Sequence, residues 1–227
     1  MLRELNQNVV VFDLNPNNIL RLHFNMDWQE SAGWAANICD GKDWHEAAYL
    51  CEQGVHFLPF GQLDDQKYQY LISDVFQENR LTDYLNALDL PDGTWVLLNV
   101  PSELNSLSRQ ALSLSHIIVR VFEPSVAYLS HLISSMQSSY IESDITLSNK
   151  SFYILNKLIP SSEIDQDMVL IYKQRLLKKL VPVTIHFDEY VKEAFAHKTT
   201  VNAHAPMSAA AKEFRSIAIW LMSYFSR

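Results

Sequence analysis

The feature that most constrains the fold of this chain is a series of short apolar runs, several of which are continuous rather than alternating. The predicted strands lie at residues 9–13, 55–60, 95–100, 116–122, 151–158 and 181–187. A strand that is buried on both faces has no polar face, so continuous runs predict a parallel sheet with helices on both sides.

Helical patterns lie between these runs. The clearest predicted helices span residues 64–88, 163–180 and 206–226, the last beginning at Pro206. Alternation of strands with helices indicates βαβ units. The sequence therefore predicts a three-layer α/β fold with a mostly parallel, twisted sheet, in a single domain over residues 1–227.

Composition excludes several classes of protein. Hydrophobic residues make up 48% of the chain and charged residues 19%, which is typical of a globular protein with a large core. A net charge of -8 argues against nucleic-acid binding, because phosphate contacts need clustered Lys and Arg. The sequence has no run of ~20 apolar residues, no signal-peptide pattern and only two cysteines, so we expect a cytoplasmic protein without a transmembrane segment.

Polar side chains follow three of the predicted strands. Asp13 and Asn15 come after the first strand, Asn99 ends the third, and Asn156 follows the fifth. In open parallel sheets, ligands bind at the carboxyl ends of the strands, so these residues are candidate ligand contacts. Asn, Pro and Ser are also ordinary strand-exit residues, and plain turns are the alternative at each position.

The chain lacks a glycine-rich phosphate loop. Its five glycines are dispersed, and none precedes a Lys-Ser or Lys-Thr pair. A phosphate cradle needs residues without Cβ, so that main-chain N–H groups can surround the anion. Asn99 stands where many nucleotide-binding α/β proteins carry a metal-handling aspartate, and its neutral amide lacks the charge that Mg²⁺ prefers.

Other polar and aromatic groups have structural explanations beside functional ones. His186 lies two residues before Asp188, which predicts either acid–base chemistry or a strand-end histidine followed by a helix N-cap. The apolar residues of the predicted terminal helix indicate that it packs on the sheet. Contact with a partner or a membrane is the alternative. Trp28, Trp34 and Trp44 either close the core or form an aromatic protein interface.

Several segments together resemble one family. The stretches "VVVFDLNPNNILRLHFNMD", "GWAANICDGKDW", "VHFLPFGQL" and "LVPVTIHFDEYVKEAFAHKTTV" are similar to the BcsQ (YhjQ) family of MinD/ParA-like, deviant-Walker P-loop ATPases. The resemblance implies a fold that usually dimerises around ATP with Mg²⁺. It also implies a role in bacterial cellulose synthesis and secretion, beside other proteins of the same operon at the inner membrane or the cell pole.

Carried over by position, the resemblance assigns nucleotide-site roles. Asp13 matches the acid that ends the second strand of the full fold, and Asn15 stands where relatives often place an acid near the attacking water. Asn99 occupies the position of the Walker B aspartate. Asn156 matches the asparagine that reads the adenine edge, and Pro182 to Asp188 flank the base. No catalytic residue and no metal ligand is assigned.

The departures from the family pattern leave two hypotheses. The sequence begins in the tail of the helix that follows the phosphate loop, so the family's first strand and its loop lysines are not among the 227 residues. The first hypothesis is a degenerate ATPase that regulates or scaffolds cellulose secretion through protein contacts. The alternative is an active ATPase with a mis-assigned start, which controls the localisation of cellulose synthase, flagella or pili.

Overall fold

A computed structural model describes residues 1–77, 79–138 and 144–226. The chain divides into two compact units. The first comprises Met1–Leu114 and Ala194–Thr200, and the second comprises Ser115–Glu193 and Val201–Arg227. Each unit is built around its own sheet, and the expectation of a single domain stays a prediction.

The first unit contains a four-stranded sheet with the order β2-β3-β1-β4. Its strands are β1 (Val9–Asp13), β2 (Tyr49–Leu50), β3 (His56–Leu58) and β4 (Trp95–Asn99). The central strand β1 pairs in parallel with both β3 and β4, and all of its residues are buried, as its continuous apolar run predicts. The short β2, which pairs antiparallel with β3, was not predicted because two residues carry too little pattern.

Helices cover this sheet. The α-helices of the first unit are α1 (Trp34–Cys39), α2 (Asp65–Tyr70), α3 (Arg80–Ala87) and α4 (Ser106–Leu114). Short 3₁₀ turns lie at Arg3–Leu5, Leu20–Phe24 and Trp44–Ala47. Fully buried aromatic rings form the centre of the core, and Trp34 packs edge-on against Phe12, Phe60 and Phe76.

The prediction of one helix over residues 64–88 was wrong. After α2 the chain widens into a π-helical turn at Leu71–Val75 and then turns out of the helix through Asn79, whose φ is 42°. The Gln110 side chain satisfies both broken ends, because its Nε2 donates to the Phe76 carbonyl and its Oε1 accepts the Leu81 N–H. A long-range side chain therefore stabilises an interruption that local periodicity does not reveal.

The second unit contains a parallel pair of strands, β5 (Ile118–Phe122) and β6 (Ser151–Leu155). Its helices are α5 (Val126–Ser138), α6 (Ile145–Asn149), α7 (Glu163–Leu176), α8 (Glu189–Ala196), α9 (Val201–His204) and α10 (Ala209–Phe225). Phe122, Tyr153 and Tyr172 stack in its core. The C-terminal end of α8 belongs to the first unit.

A continuous sixth strand over residues 181–187 does not form. The segment makes isolated parallel bridges at Leu180 and His186, and Val181 and Ile185 donate to carbonyls of β6. Pro182 has no N–H to give to a ladder, which explains why regular pairing fails there. The predicted start of the last helix at Pro206 also moves, because Ser208 is the N-cap and accepts the Ala211 N–H.

The predicted α/β class is confirmed. Three of the four strand pairings among the described residues are parallel, and helices connect the parallel strands. None of the helices in the described ranges combines the length and hydrophobicity that a bilayer-spanning helix needs.

Candidate functional site

The candidate site in the first unit is centred on a hydrogen bond between the ends of β1 and β4. Asp13 and Asn99 are opposite each other in the register of the two strands, and the Asn99 Nδ2 donates to Asp13 Oδ1 at 2.7 Å. The same carboxylate oxygen accepts the Asn15 N–H at 3.1 Å. The structure therefore brings together the predicted site residues Asp13, Asn15 and Asn99.

Main-chain contacts hold this strand end in place. The Trp34 indole N–H donates to the Asp13 carbonyl at 2.7 Å, and the Leu14 N–H donates to the Asn99 carbonyl at 2.9 Å. Trp34 is itself fully buried at the start of α1. Because these bonds fix the backbone on either side of the carboxylate, the orientation of the Asp13 side chain is set by the fold.

Burial dominates the electrostatics of Asp13. The side chain is 0% exposed, and desolvation raises the pKa of its carboxyl group to about 6, against the hydrogen bonds from Asn99 and Asn15, which lower it. A buried charge with so few compensating donors is unfavourable for folding. Groups with such perturbed pKa values at the carboxyl edge of a sheet are candidates for functional sites.

Two buried side chains, one at the end of β1 and one in the loop after it, have polar atoms with no hydrogen-bond partner among the described residues. These atoms are Asp13 Oδ2 and both Oδ1 and Nδ2 of Asn18, which is 3% exposed. The loop backbone is itself hydrogen-bonded, since Asn15 Oδ1 accepts the Asn17 N–H and the Asn15 carbonyl accepts the Asn18 N–H. Buried polar atoms in native proteins normally have a partner, so these atoms indicate a polar ligand or bound water at this loop.

The residues present do not fit a magnesium triphosphate. Asn99 stands where a metal-binding carboxylate is expected, and its amide donates to Asp13. The resulting pair carries one carboxylate, and that carboxylate is protonated below its raised pKa of about 6. Within the described ranges, no group of at least three His, Cys, Asp or Glu residues is arranged to hold a metal ion.

The glycines nearest to the sheet edge serve packing. Gly33 begins α1, and a Cβ added there would lie 2.1 Å from the Gly61 nitrogen, so the backbones of these two residues are in direct contact. The first N–H groups of α1 are satisfied by the carbonyls of Pro59 and Phe60. The first two N–H groups of this helix are therefore already bonded within the chain and are not available to a phosphate.

The predicted base-contacting residue Asn156 lies in the second unit, directly after β6. Its N–H donates to the Phe122 carbonyl at 2.8 Å, and its Oδ1 accepts the N–H of Lys157. Lys157 pairs with Glu123 at 2.6 Å, and this partner raises the pKa of the lysine. Asn156 is thus held as a strand-exit turn, and its nucleotide-binding role stays a prediction.

The interpretation of Asp188 as a helix N-cap is confirmed and extended. Its Oδ1 accepts the Tyr190 N–H at the start of α8, and its Oδ2 accepts the Ala210 N–H at the start of α10. Beside it, the main-chain N–H and ring Nδ1 of His186 both contact the Glu213 carboxylate. The carboxylate oxygens of Asp188 cap helices, and the exposed Pro182 precedes this cluster, so base contact by either residue also stays a prediction.

Sequence reasoning missed the supporting residues. The sequence indicated Trp34 as a residue of either the core or an interface, but not its hydrogen bond to the site. The buried, unpartnered amide of Asn18 was not predicted. Arg21, the one charged residue of the apolar stretch "NILRLHF", is 7% exposed. An isolated charge in such a stretch is the signal by which a buried arginine could have been found.

Comparisons with known proteins show the family of this chain. The family model described as cellulose biosynthesis protein BcsQ matches residues 1–222. The cellulose biosynthesis protein BcsQ of Salmonella typhi is 29% identical, and the match covers 97% of this chain and 84% of that protein.

Solved structures support the fold. The cell division ATPase MinD of Pyrococcus furiosus matches with a TM-score of 0.69 and 18% identity, over 98% of this chain and 89% of that one. The septum site-determining protein MinD of Pyrococcus horikoshii, complexed with Mg-ADP, matches with a TM-score of 0.64 and 16% identity, over 96% and 84%. The fold is therefore that of the MinD/ParA-like P-loop ATPases, and the family model shows that the chain belongs to the BcsQ family of cellulose biosynthesis proteins.

Proposed function

We propose that this protein is a regulatory or scaffolding component of bacterial cellulose biosynthesis and secretion. In this role it is a degenerate MinD-like ATPase that acts through contacts with other proteins of the cellulose machinery. Support for the cellulose role comes from the family match over residues 1–222 and from the names of the curated relatives. Its place of action is the cytoplasmic face of the inner membrane or the cell pole.

The observation that carries the degenerate character is the hydrogen bond from Asn99 to Asp13. Phosphoryl transfer depends on positioned positive charge and on a metal that carboxylates hold near the phosphates. Here the amide donates to one oxygen of the neighbouring carboxylate and adds no negative charge. The pair instead ties the end of β1 to the end of β4, which fixes the two exit loops as a defined surface for partners.

Two measurements test this proposal. Deletion of the gene should lower cellulose output, and a plasmid-borne copy of the 227-residue chain should restore it. The purified chain should neither bind ATP with Mg²⁺ at millimolar nucleotide in calorimetry nor hydrolyse it. Normal cellulose output in the deletion strain would contradict the proposed role in cellulose biosynthesis. ATP turnover by the chain would contradict only the proposal that the ATPase is degenerate.

The second candidate function is an active, ATP-dependent dimerising ATPase that controls the localisation of cellulose synthase, flagella or pili. The unpartnered atoms of Asp13 and Asn18 favour it, because they indicate a polar ligand at the sheet edge. Expression with the longest in-frame upstream extension tests this candidate. ATP turnover and ATP-dependent dimerisation that disappear on replacing a lysine of the restored loop would favour it over scaffolding.

A further inference from the structure

A tryptophan is held at the surface of the first unit by a buried arginine. The Trp28 side chain is 67% exposed, whereas Arg21, which organises its loop, is 7% exposed. Exposing the largest apolar side chain gives up the stabilisation that its burial would provide. Tryptophan is one of the residues enriched among the side chains that dominate binding energy at interfaces.

The guanidinium of Arg21 fixes the loop through main-chain carbonyls. It donates to Asp27 at 2.8 Å, to Glu30 at 2.6 Å, to Trp28 at 3.0 Å and to Asn18 at 3.0 Å. Hydrogen bonds from a charged donor are stronger than neutral ones. The backbone that carries Trp28 is therefore preorganised, so a partner would lose little loop entropy on binding.

The charge of the loop indicates what such a partner carries. Residues 25–33 contain Asp27 and Glu30 and no Lys or Arg, and both acids are exposed on either side of Trp28. One oxygen of each carboxylate accepts a loop N–H, from Gln29 and Ala32 respectively, which holds the carboxylates in place. Two cations also contact the backbone of this region: the buried Arg21 guanidinium donates to its carbonyls from beneath, and the Lys198 ammonium donates to the Met26 carbonyl at 3.3 Å. The exposed side of the loop therefore presents the indole and the two carboxylates.

We propose that the loop 27–30, with Trp28 as its anchor, is a docking site for an arginine- or lysine-bearing peptide segment of a partner protein. A cationic side chain would lie over the indole face while neighbouring cations pair with the carboxylates of Asp27 and Glu30. The residues of this site, Asp27, Trp28 and Glu30, are not members of the Asp13–Asn99 pair.

Titration of the ¹⁵N-labelled chain with a hexa-arginine peptide tests the proposal. The indole N–H signal of Trp28, assigned by its loss in Trp28→Phe, should shift in a saturable way. Trp28→Ala should weaken binding about fivefold, the size expected of a cation–π contact at an exposed site. The double variant Asp27→Asn/Glu30→Gln should weaken it to a similar degree, because both amides keep the oxygens that hold the loop.

A matched control separates docking from the general attraction of an acidic protein for a basic peptide. Asp89→Asn/Asp92→Asn removes the same charge from another exposed turn and should leave the affinity within about twofold. Equal weakening by this control, or an unchanged affinity in Trp28→Ala, would overturn the proposal. Trp28-dependent binding to phosphatidylglycerol vesicles without peptide binding would overturn it as well, in favour of a lipid contact.

Discussion

Two strand exits, one in each unit, bury an aspartate in opposite ways. At the exit of β1, Asp13 is 0% exposed and has one carboxylate oxygen without a partner among the described residues. Beyond the exit of β6, Asp165 is 9% exposed, and its two oxygens accept the Ile159 N–H and the Ser162 hydroxyl. Burial of a carboxylate stabilises a fold where donors satisfy it and destabilises it where they do not.

The satisfied exit is a structural device. Ser162 is the N-cap of α7, its hydroxyl accepts the Asp165 N–H, and the aspartate closes the preceding turn through Ile159. The β1 exit lacks this closure. A buried carboxylate that lacks compensating donors marks a candidate functional site, and the Asp13 loop is the candidate in this comparison.

The largest expected effect is at the satisfied exit. Asp165→Ala should lower the free energy of unfolding by about 3 kcal/mol, because it removes the acceptors of two hydrogen bonds and leaves the Ile159 N–H without its acceptor. Urea unfolding followed by far-ultraviolet circular dichroism measures the loss. Asp167→Ala, in the exposed next turn of α7, is the control and should change stability by less than about 0.5 kcal/mol.

Replacing the aspartate by asparagine should raise the free energy of unfolding at the β1 exit and lower it at the β6 exit. Asp13→Asn keeps an oxygen for the Asn15 N–H but removes the buried charge, so stability at pH 7.5 should rise by about 2–3 kcal/mol. Asp165→Asn should lower it, because an amide oxygen is a weaker acceptor and its NH₂ group has no acceptor to replace the hydroxyl bond. Tryptophan fluorescence in urea reports the first change, since Trp34 and Trp44 are buried in the first unit. A clear loss of stability in Asp13→Asn would show that the carboxylate is structural.

The pH dependence of that gain provides a sharper test. The folded pKa of Asp13 is about 6, above its ordinary value of 3.8, so between these values the folded state holds a proton that the unfolded state has lost. The carboxylate therefore lowers stability as pH rises from about 4 to about 6, by up to roughly 1.4 kcal/mol per pH unit. The difference in stability between Asp13→Asn and the natural chain should be near zero below pH 4 and reach its full value above pH 7. A difference that does not change with pH would contradict the raised pKa.

The sequence predicted the local features of the β1 exit but not its long-range contacts. The buried run of β1 and the polar residues after it are visible as patterns, because strand burial and exit chemistry are local. The bond from Asn99 to Asp13 joins residues 86 positions apart, and the unpartnered atoms depend on every neighbour that fails to reach them. The break after α2 was missed for the same reason, since Gln110 supplies its hydrogen bonds from a distant helix.

The smallest expected effect lies at the far end of the helix that Asp165 helps to begin. Leu177 follows α7 with φ 47° and ψ −122°, a conformation that favours glycine, and its side chain is 73% exposed. Leu177→Gly should therefore raise stability by about 0.5–1 kcal/mol, since it relieves backbone strain and gives up little burial. Leu170→Gly, at an exposed position inside α7, should lower stability by about 1 kcal/mol, because glycine has no such advantage where φ is helical. If both variants lose stability equally, the positive φ carries no strain. If Leu177→Gly raises stability and Leu170→Gly lowers it, the second unit has backbone strain at a helix end, away from the β6 exit. The first unit, by contrast, has its unfavourable group at the strand exit itself.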